Sequence, residues 1–128
     1  MKKLLLTMLM LMVTTTASAE WTISGFSDSF IQYVDRATIR RNGNFVKMWN
    51  LRDYMAMQTI ADVSYFSSKR QLEYDCKEER SRRLAVSFFS GRMGNGNVVL
   101  NDNEPDKWGP IQPESIGEAL WKVACGKK

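Results

Sequence analysis

Residues 115–126 read SIGEALWKVACG, and this stretch near the C-terminus decides what the rest of the chain has to build. Ser115, followed three residues later by Glu118, matches a helix capping box, and Gly126 is the residue type that commonly ends a helix. The stretch therefore predicts a helix over Ile116–Cys125. Its apolar residues cover a wide arc and leave only a narrow polar stripe, so most of the helix must be buried against another element.

The chain has two cysteines, Cys76 and Cys125, and an isolated pair in an exported protein most often forms one disulfide. It would enclose 49 residues and stabilise the fold by roughly 4 kcal/mol through restriction of the unfolded chain. Cys76 shares the apolar face of a predicted strand with Leu72 and Tyr74, whereas Asp75 alternates to the solvent side. The disulfide and the hydrophobic pattern thus predict the same packing of helix on sheet. A catalytic thiol would need a C-x-x-C pair or a neighbouring histidine, and neither is present.

Short runs of β-branched and aromatic residues, separated by turn signals, predict the sheet that this helix covers. Asn-Gly-Asn occurs at residues 42–44 and 95–97, and Asn-Gly readily adopts the positive φ values of tight turns. The predicted strands are residues 21–25, 30–34, 44–54, 71–77, 82–89 and 97–100. The fold class is therefore α+β: an antiparallel β-sheet of about six strands with a C-terminal α-helix packed on one face and tied by a disulfide.

The N-terminus predicts a cleaved secretory signal peptide over residues 1–19. Two lysines precede an apolar run over residues 4–13, and residues 17–19 read ASA, a small-residue cleavage site. Ten apolar residues are too few to span a bilayer, which needs about 20, and no cysteine follows for lipid attachment. We therefore expect a single domain over residues 20–128 without a transmembrane segment. It should be exported, and periplasmic, released or at the cell surface, without a lipid anchor.

Composition excludes several kinds of function. None of the 128 residues is histidine, which removes His-based triads and His-ligated metal sites. The net charge of +4 falls to +2 without the two lysines of the signal, too weak to predict a nucleic-acid partner. Acidic residues alternate at Asp102, Glu104 and Asp106, but the glycine and glutamate of a calcium-binding EF-hand are missing. The sequence predicts no cofactor and no metal.

Several segments match a known family in order and spacing. They are residues 39–44 (IRRNGN), Val46, Trp49, 53–54 (DY), 67–69 (SSK), 73–76 (EYDC), 94–96 (GNG), Trp108 and 113–125. Together with the two cysteines they resemble the surface-adhesin protein E-like domain of Gram-negative bacteria, over essentially the whole mature chain. The resemblance implies the sheet and disulfide-held helix described above. It also implies an adhesin-type role in binding host proteins such as extracellular-matrix components, and a capacity to form homodimers.

The leading functional hypothesis is a non-enzymatic exported binding module that contacts its protein partner through the solvent face of the sheet and its rims. The candidate contact residues form a basic patch, for which simple solvation is the alternative interpretation. They are Lys69, Arg70, Arg80, Arg82 and Arg83. No catalytic residue is assigned.

Two alternatives stay open. The first is a periplasmic envelope protein that contacts another bacterial protein and has no adhesin role; the founding adhesin of the family is lipid-anchored, whereas this chain lacks the lipobox cysteine. The second is a hydrolase that works through two carboxylates, because Asp and Glu are the remaining acid–base candidates. Asp53, Glu73 and Asp75 lie in or beside predicted strands.

Overall fold

The chain folds into an antiparallel meander closed by one helix. The computed structural model describes residues 19–127. Its elements are β1 (Thr22–Phe26), β2 (Phe30–Asn42), β3 (Phe45–Ile60), β4 (Val63–Asp75), β5 (Arg80–Phe89), a 3₁₀ turn (Arg92–Gly94), β6 (Val98–Asp102), β7 (Gly109–Pro110) and α1 (Ile116–Cys125). Strands β1 to β6 pair in sequence order, and the short β7 pairs with the start of β5. This confirms the predicted sheet of about six strands with a C-terminal helix.

Helix α1 begins and ends where the sequence predicts. The Ser115 hydroxyl accepts a hydrogen bond from the Glu118 backbone N at 3.1 Å, which satisfies one of the unpaired N–H groups of the first turn. Gly126 ends the helix in the left-handed conformation with φ 68°, where a residue without a Cβ meets no steric penalty. The predicted signal peptide lies, except for its last residue, outside the described part of the chain.

The core lies between α1 and one side of the sheet, which we call the helix face. From the sheet it contains Val34, Val46, Met48 and Tyr74, and from the helix Leu120, Trp121, Ala124 and Cys125. The disulfide joins Cys76 to Cys125, with the two Cα atoms 5.6 Å apart, and ties the end of α1 to the end of β4. The predicted disulfide and its packing are therefore confirmed.

The opposite side of the sheet, which we call the loop face, carries the 3₁₀ turn. The backbone N of Met93 donates to Asp53 Oδ1 at 2.9 Å, and the backbone N of Gly94 donates to the Ser67 hydroxyl at 2.8 Å. These bonds hold the connection between β5 and β6 against β3 and β4.

The β3–β4 hairpin is much longer than the sequence predicts. β3 extends to Ile60 and β4 begins at Val63, whereas the predicted strands end at residue 54 and begin at residue 71. The turn uses Ala61 and Asp62 with φ 47° and 60°, so no glycine or asparagine marks it in the sequence. The serines and cations over residues 64–70 also hide the apolar alternation of a strand.

Asp75 is buried, and its prediction as a solvent-side residue is wrong. Its Oδ1 accepts hydrogen bonds from the backbone N atoms of Lys77 and Glu78 at 3.0 and 3.1 Å. Its Oδ2 accepts from Arg80 Nε at 3.0 Å. The carboxylate is buried because it closes the turn between β4 and β5 by bonding to the backbone that follows it.

Candidate functional site

Helix α1 covers only one end of the helix face. A helix of 10 residues is about 15 Å long, whereas a strand of 16 residues such as β3 spans about 50 Å. The helix contacts β3 and β4 around Val46, Met48 and Tyr74. Towards the β3–β4 hairpin the same face continues beyond the helix.

This uncovered part of the helix face contains a concave site of about 190 Å³, which we call the arginine pocket. Strands β3, β4 and β5 each contribute one cation to it: Arg52, Arg70 and Arg83. An aromatic wall borders the cations and consists of Tyr54, Tyr65 and Phe88.

Strand register brings Arg52 and Arg70 together. Arg52 lies opposite Ser68, and Asn50 lies opposite Arg70. Because alternate residues of a strand share a face, Arg52 and Arg70 are diagonal neighbours on adjacent strands. Arg70 also precedes Leu72 on the apolar side of β4, so it belongs to the helix face.

A β-bulge brings the third arginine to the same face. The register of β4 and β5 shifts between Gln71 and Leu72, which places Arg83 opposite Leu72. Strict alternation from Val86 would have placed Leu84 on the shared apolar face, as the sequence predicts. The bulge therefore exchanges an apolar side chain for a cation at this position.

The arginine pocket holds more positive charge than the protein around it neutralises. Arg52 and Arg70 make no ion pair with any described residue, whereas Arg83 lies 3.4 Å from the half-exposed carboxylates of Asp102 and Asp106. Burial, followed by the charges of Arg52 and Arg83, lowers the pKa of Arg70 to about 10. At this pKa the Arg70 side chain remains cationic at neutral pH.

Buried polar atoms beside the pocket lack hydrogen-bond partners within the described chain. They include Nε of Arg52, Nε of Arg83 and both amide atoms of Asn50. The Tyr74 hydroxyl is also without a partner, and burial raises its pKa above the usual value, so it stays protonated. A buried unpaired polar group costs about 1–3 kcal/mol. Folding stability alone therefore does not account for this concentration of polar groups.

The aromatic wall is a continuous chain of ring contacts. The ring centroids of Tyr54 and Tyr65 are 5.4 Å apart, and those of Tyr65 and Phe88 are 4.7 Å apart. Phe30 extends the chain from β2 at 5.4 Å from Tyr54, and the Arg52 guanidinium lies 4.6 Å from the centre of the Phe30 ring. These contacts orient Arg52 from one side.

Cations on the loop face have a different environment. Arg82 pairs with Glu73 at 2.8 Å, and Arg80 pairs with Asp75 at 3.0 Å. Both guanidinium groups also lie over the Trp108 ring, at 4.8 and 4.7 Å from its centre. We call these five residues the tryptophan cluster; every cation in it has a carboxylate and an aromatic partner.

A groove of about 510 Å³ borders the tryptophan cluster. Glu78, Arg80, Trp108 and Pro110 line it. Its arginine is already paired with Asp75, and Glu78 adds a negative charge, so the groove does not select a ligand of one sign.

The five residues of the predicted basic patch do not lie on one surface. Arg70 and Arg83 belong to the arginine pocket, and Arg80 and Arg82 belong to the tryptophan cluster. Lys69 lies on the loop face, where its Nζ is 5.1 Å from the centre of the Phe89 ring. The structure therefore brings the predicted residues together in two pairs on opposite faces.

Sequence reasoning missed Arg52 and the aromatic wall. A signal for Arg52 exists, because Met48, Asn50 and Arg52 follow one another at period 2 and Met48 is a core residue. A cation that shares one face of a strand with a core methionine is unusual, because cations are mostly exposed. No comparable signal marks Tyr65, because it lies within the part of β4 that the sequence did not predict as a strand.

The three carboxylates considered for hydrolysis are engaged in other contacts. Asp53 accepts from the Met93 backbone, and Glu73 and Asp75 pair with arginines. Burial acts to raise the pKa of Asp75, but its hydrogen bonds from the Glu78 backbone, Arg80 and the Lys77 backbone outweigh burial and hold the pKa below the ordinary value. A general acid needs the opposite shift.

Metal-ligand clusters and membrane-spanning helices are both absent from the described residues 19–127. No group of three or more His, Cys, Asp or Glu side chains is placed there to hold a metal ion. No helix in this part of the chain combines the length and apolarity required to cross a membrane.

The disulfide-tied sheet, with one helix over part of a face and a cationic pocket beside it, defines a small α+β module. The family model for surface-adhesin protein E matches residues 21–126, and the chain belongs to this family. Membership identifies a surface adhesin-like module of a non-enzymatic class, and implies an exported or surface location. No functionally curated protein matches the sequence.

Solved structures of Haemophilus influenzae protein E share the fold. Crystal form II of that protein aligns with a TM-score of 0.61 at 11% identity, over 86% of this chain and 97% of that chain. Protein E from non-typeable Haemophilus influenzae aligns with a TM-score of 0.51 at 10% identity, over 85% of this chain and 86% of that chain. At such identities the likeness concerns the fold alone.

Proposed function

We propose that this protein is an exported, non-enzymatic adhesin-type module that binds a protein of the host extracellular matrix. Its membership of the surface-adhesin protein E family supports the adhesin role. The predicted signal peptide, with its ASA cleavage site, supports export. The contact surface in this proposal is the end of the sheet at which the β3–β4 hairpin turns.

The observation that carries the proposal is a group of exposed apolar side chains, which we call the hairpin end. It consists of Phe26, Met55, Met57 and Ile60, whose exposed fractions are 63%, 53%, 57% and 40%. The Met55 backbone N donates to the Ser29 carbonyl at 2.9 Å, which holds the β1–β2 turn beside the hairpin. Clustered aromatic and methionine side chains are typical of protein-binding surfaces.

The adjoining arginine pocket indicates the charge of the partner. Ile60 lines the pocket as well as the hairpin end, so the apolar and the cationic surfaces are continuous. Electrostatic complementarity then favours a partner with an acidic surface. A second copy of this chain would bring two arginine pockets towards each other, which like-charge repulsion disfavours.

The test compares two charge substitutions at exposed apolar positions. Met57→Asp introduces a negative charge at the hairpin end, and Val98→Asp does the same on β6, where Val98 is 54% exposed. Binding to immobilised extracellular-matrix proteins is measured by biolayer interferometry. We expect Met57→Asp to weaken binding at least tenfold and Val98→Asp to change it less than twofold. Equal losses in both variants would contradict the proposed contact surface.

The alternative role, contact with another bacterial protein in the periplasm, is tested by location. An antibody to the domain is used to compare protease digestion on intact cells with digestion after the outer membrane is opened. Digestion on intact cells supports the matrix-binding role. Protection until the membrane is opened, with crosslinking to a bacterial protein, supports the alternative. A third outcome is a wild type that forms dimers in solution and a Met57→Asp variant that is monomeric. That result would identify the hairpin end as a dimer interface.

A further inference from the structure

The arginine pocket has features of a small-ligand site that a protein contact does not require. We propose that it binds a phosphate monoester group, held by Arg52, Arg70 and Arg83 and flanked by the aromatic wall. This inference goes beyond the proposed function, because a small ester can bind whether or not the hairpin end contacts a matrix protein.

The first argument is charge balance. Three arginines line the pocket, and among the described residues only Arg83 has carboxylates within ion-pair distance, Asp102 and Asp106, both half-exposed. About two positive charges therefore lack a counter-charge in the surrounding protein. A phosphate monoester carries a charge of about −1.5 to −2 at neutral pH, whereas a sulfate ester or a carboxylate carries one negative charge. The dianion fits this balance better.

The second argument is the arrangement of hydrogen-bond donors. Guanidinium groups are planar forks that match the oxygens of phosphate, and three of them can serve its three terminal oxygens. Nε of Arg52 and Nε of Arg83 are buried and donate to no atom of the described chain. Asn50 lies opposite Arg70 and also has an unpaired amide.

The third argument is size and shape. A volume of about 190 Å³ corresponds to roughly six water molecules, which suits a compact group and excludes a polymer as the enclosed ligand. Tyr54, Tyr65 and Phe88 form one wall through ring contacts of 4.7 to 5.4 Å. That wall can pack against an apolar or ring-shaped group bonded to the phosphate.

The experiment uses phenyl phosphate as the probe, with phenyl sulfate and benzoate as monoanionic comparisons. Binding to the purified full domain is followed by calorimetry and by NMR shifts of the arginine Nε–H signals. We expect phenyl phosphate to bind at least tenfold more tightly than either comparison at pH 7.5. Its affinity should fall as the pH drops below about 6, where the ester becomes a monoanion, while that of phenyl sulfate stays constant.

Substitutions locate the site. Arg70→Met and Arg52→Met should each weaken phenyl phosphate binding at least tenfold. Arg36→Met removes the same charge from an exposed arginine on β2 and should change binding less than twofold. Thermal unfolding of each variant verifies that it is folded, and Arg83→Met serves as a third pocket variant.

A second experiment distinguishes a lipid headgroup from a soluble molecule as the source of the phosphate monoester. Vesicles that contain phosphatidic acid present the same monoester on a lipid, and phosphatidylcholine vesicles are their control. Preferential binding to phosphatidic acid identifies a lipid headgroup, and binding to phenyl phosphate without vesicle binding identifies a soluble ester. Absence of binding to both probes, equal affinity for phenyl sulfate and phenyl phosphate, or equal loss in Arg36→Met would overturn the proposal. None of these outcomes depends on matrix binding.

Discussion

The arginine pocket and the tryptophan cluster both contain arginine side chains, and β5 contributes to both, but the surroundings of these side chains differ. On the loop face, Arg80 and Arg82 each pair with a carboxylate across the strand and lie over Trp108. On the helix face, Arg52 and Arg70 are neighbours and neither has an ion-pair partner within residues 19–127. Arginine content alone therefore does not identify a binding surface.

The different surroundings of these arginines distinguish side chains that stabilise the fold from side chains that are available to a ligand. A cation that is paired and stacked contributes to the fold and has little interaction left for a ligand. Cations that repel one another in a half-buried site oppose folding, and such groups are often retained because they bind something. By this criterion the tryptophan cluster is structural, and the arginine pocket is the candidate site.

The largest effect on the free energy of unfolding is expected from removing the disulfide that ties α1 to the helix face. Replacement of Cys76 and Cys125 by serine removes a cross-link that spans 49 residues. We expect the free energy of unfolding to fall by roughly 4 kcal/mol, because the unfolded chain regains conformational freedom. Urea unfolding followed by tryptophan fluorescence measures this loss, and the reduced wild type should match the variant. A loss below about 1 kcal/mol would show that α1 packs without its disulfide.

Two arginine-to-methionine substitutions, one on each face of the sheet, are expected to change the free energy of unfolding in opposite directions. Arg82→Met leaves Glu73 without its partner, so we expect a loss of about 1–2 kcal/mol in the free energy of unfolding. Arg70→Met removes a desolvated cation from two like charges, so we expect a gain of about 1 kcal/mol. Arg36→Met should lie within about 0.5 kcal/mol of the wild type.

The free energy of unfolding of all three variants is measured by urea unfolding in a buffer without phosphate or sulfate. These anions would bind in the arginine pocket and stabilise the folded wild type. Changes of the same sign in Arg82→Met and Arg70→Met would remove the distinction between the two faces.

The smallest expected effect is the pH dependence that Asp75 contributes to stability. The pKa of Asp75 in the folded protein lies below its ordinary value of 3.8, so its carboxylate stabilises the fold above that pH. This contribution is lost as the pH falls through the lowered pKa. We expect Asp75→Asn to lower the melting temperature at pH 6, and the difference from the wild type to shrink towards pH 2.5. A difference that is constant with pH would show that the carboxylate acts through its geometry and not its charge.

Local patterns predicted the elements that depend on neighbouring residues. Ser115, Glu118 and Gly126 mark both ends of α1, because capping chemistry acts within a single turn. The two cysteines and the apolar alternation around Tyr74 predicted which face the helix covers. Asn-Gly at residues 42–43 correctly marked the turn between β2 and β3.

Prediction failed where the chain departs from local rules. The Ala61–Asp62 turn has positive φ at residues that rarely adopt it, so the hairpin end and the aromatic wall could not be inferred. Asp75 was expected in solvent because alternation ignores a carboxylate that bonds to its own turn. In both cases contacts formed by the folded backbone override the residue pattern.

The amino-acid pattern was sufficient to predict the α+β class, the disulfide and the helix that it holds, because each follows from short-range spacing or from a single pairing of cysteines. The arginine pocket required the folded chain. Arg52, Arg70 and Arg83 lie on three strands, and their convergence depends on cross-strand register and on a bulge between Gln71 and Leu72. A shift of one residue would send Arg83 to the loop face, and no local signal in the sequence specifies that shift.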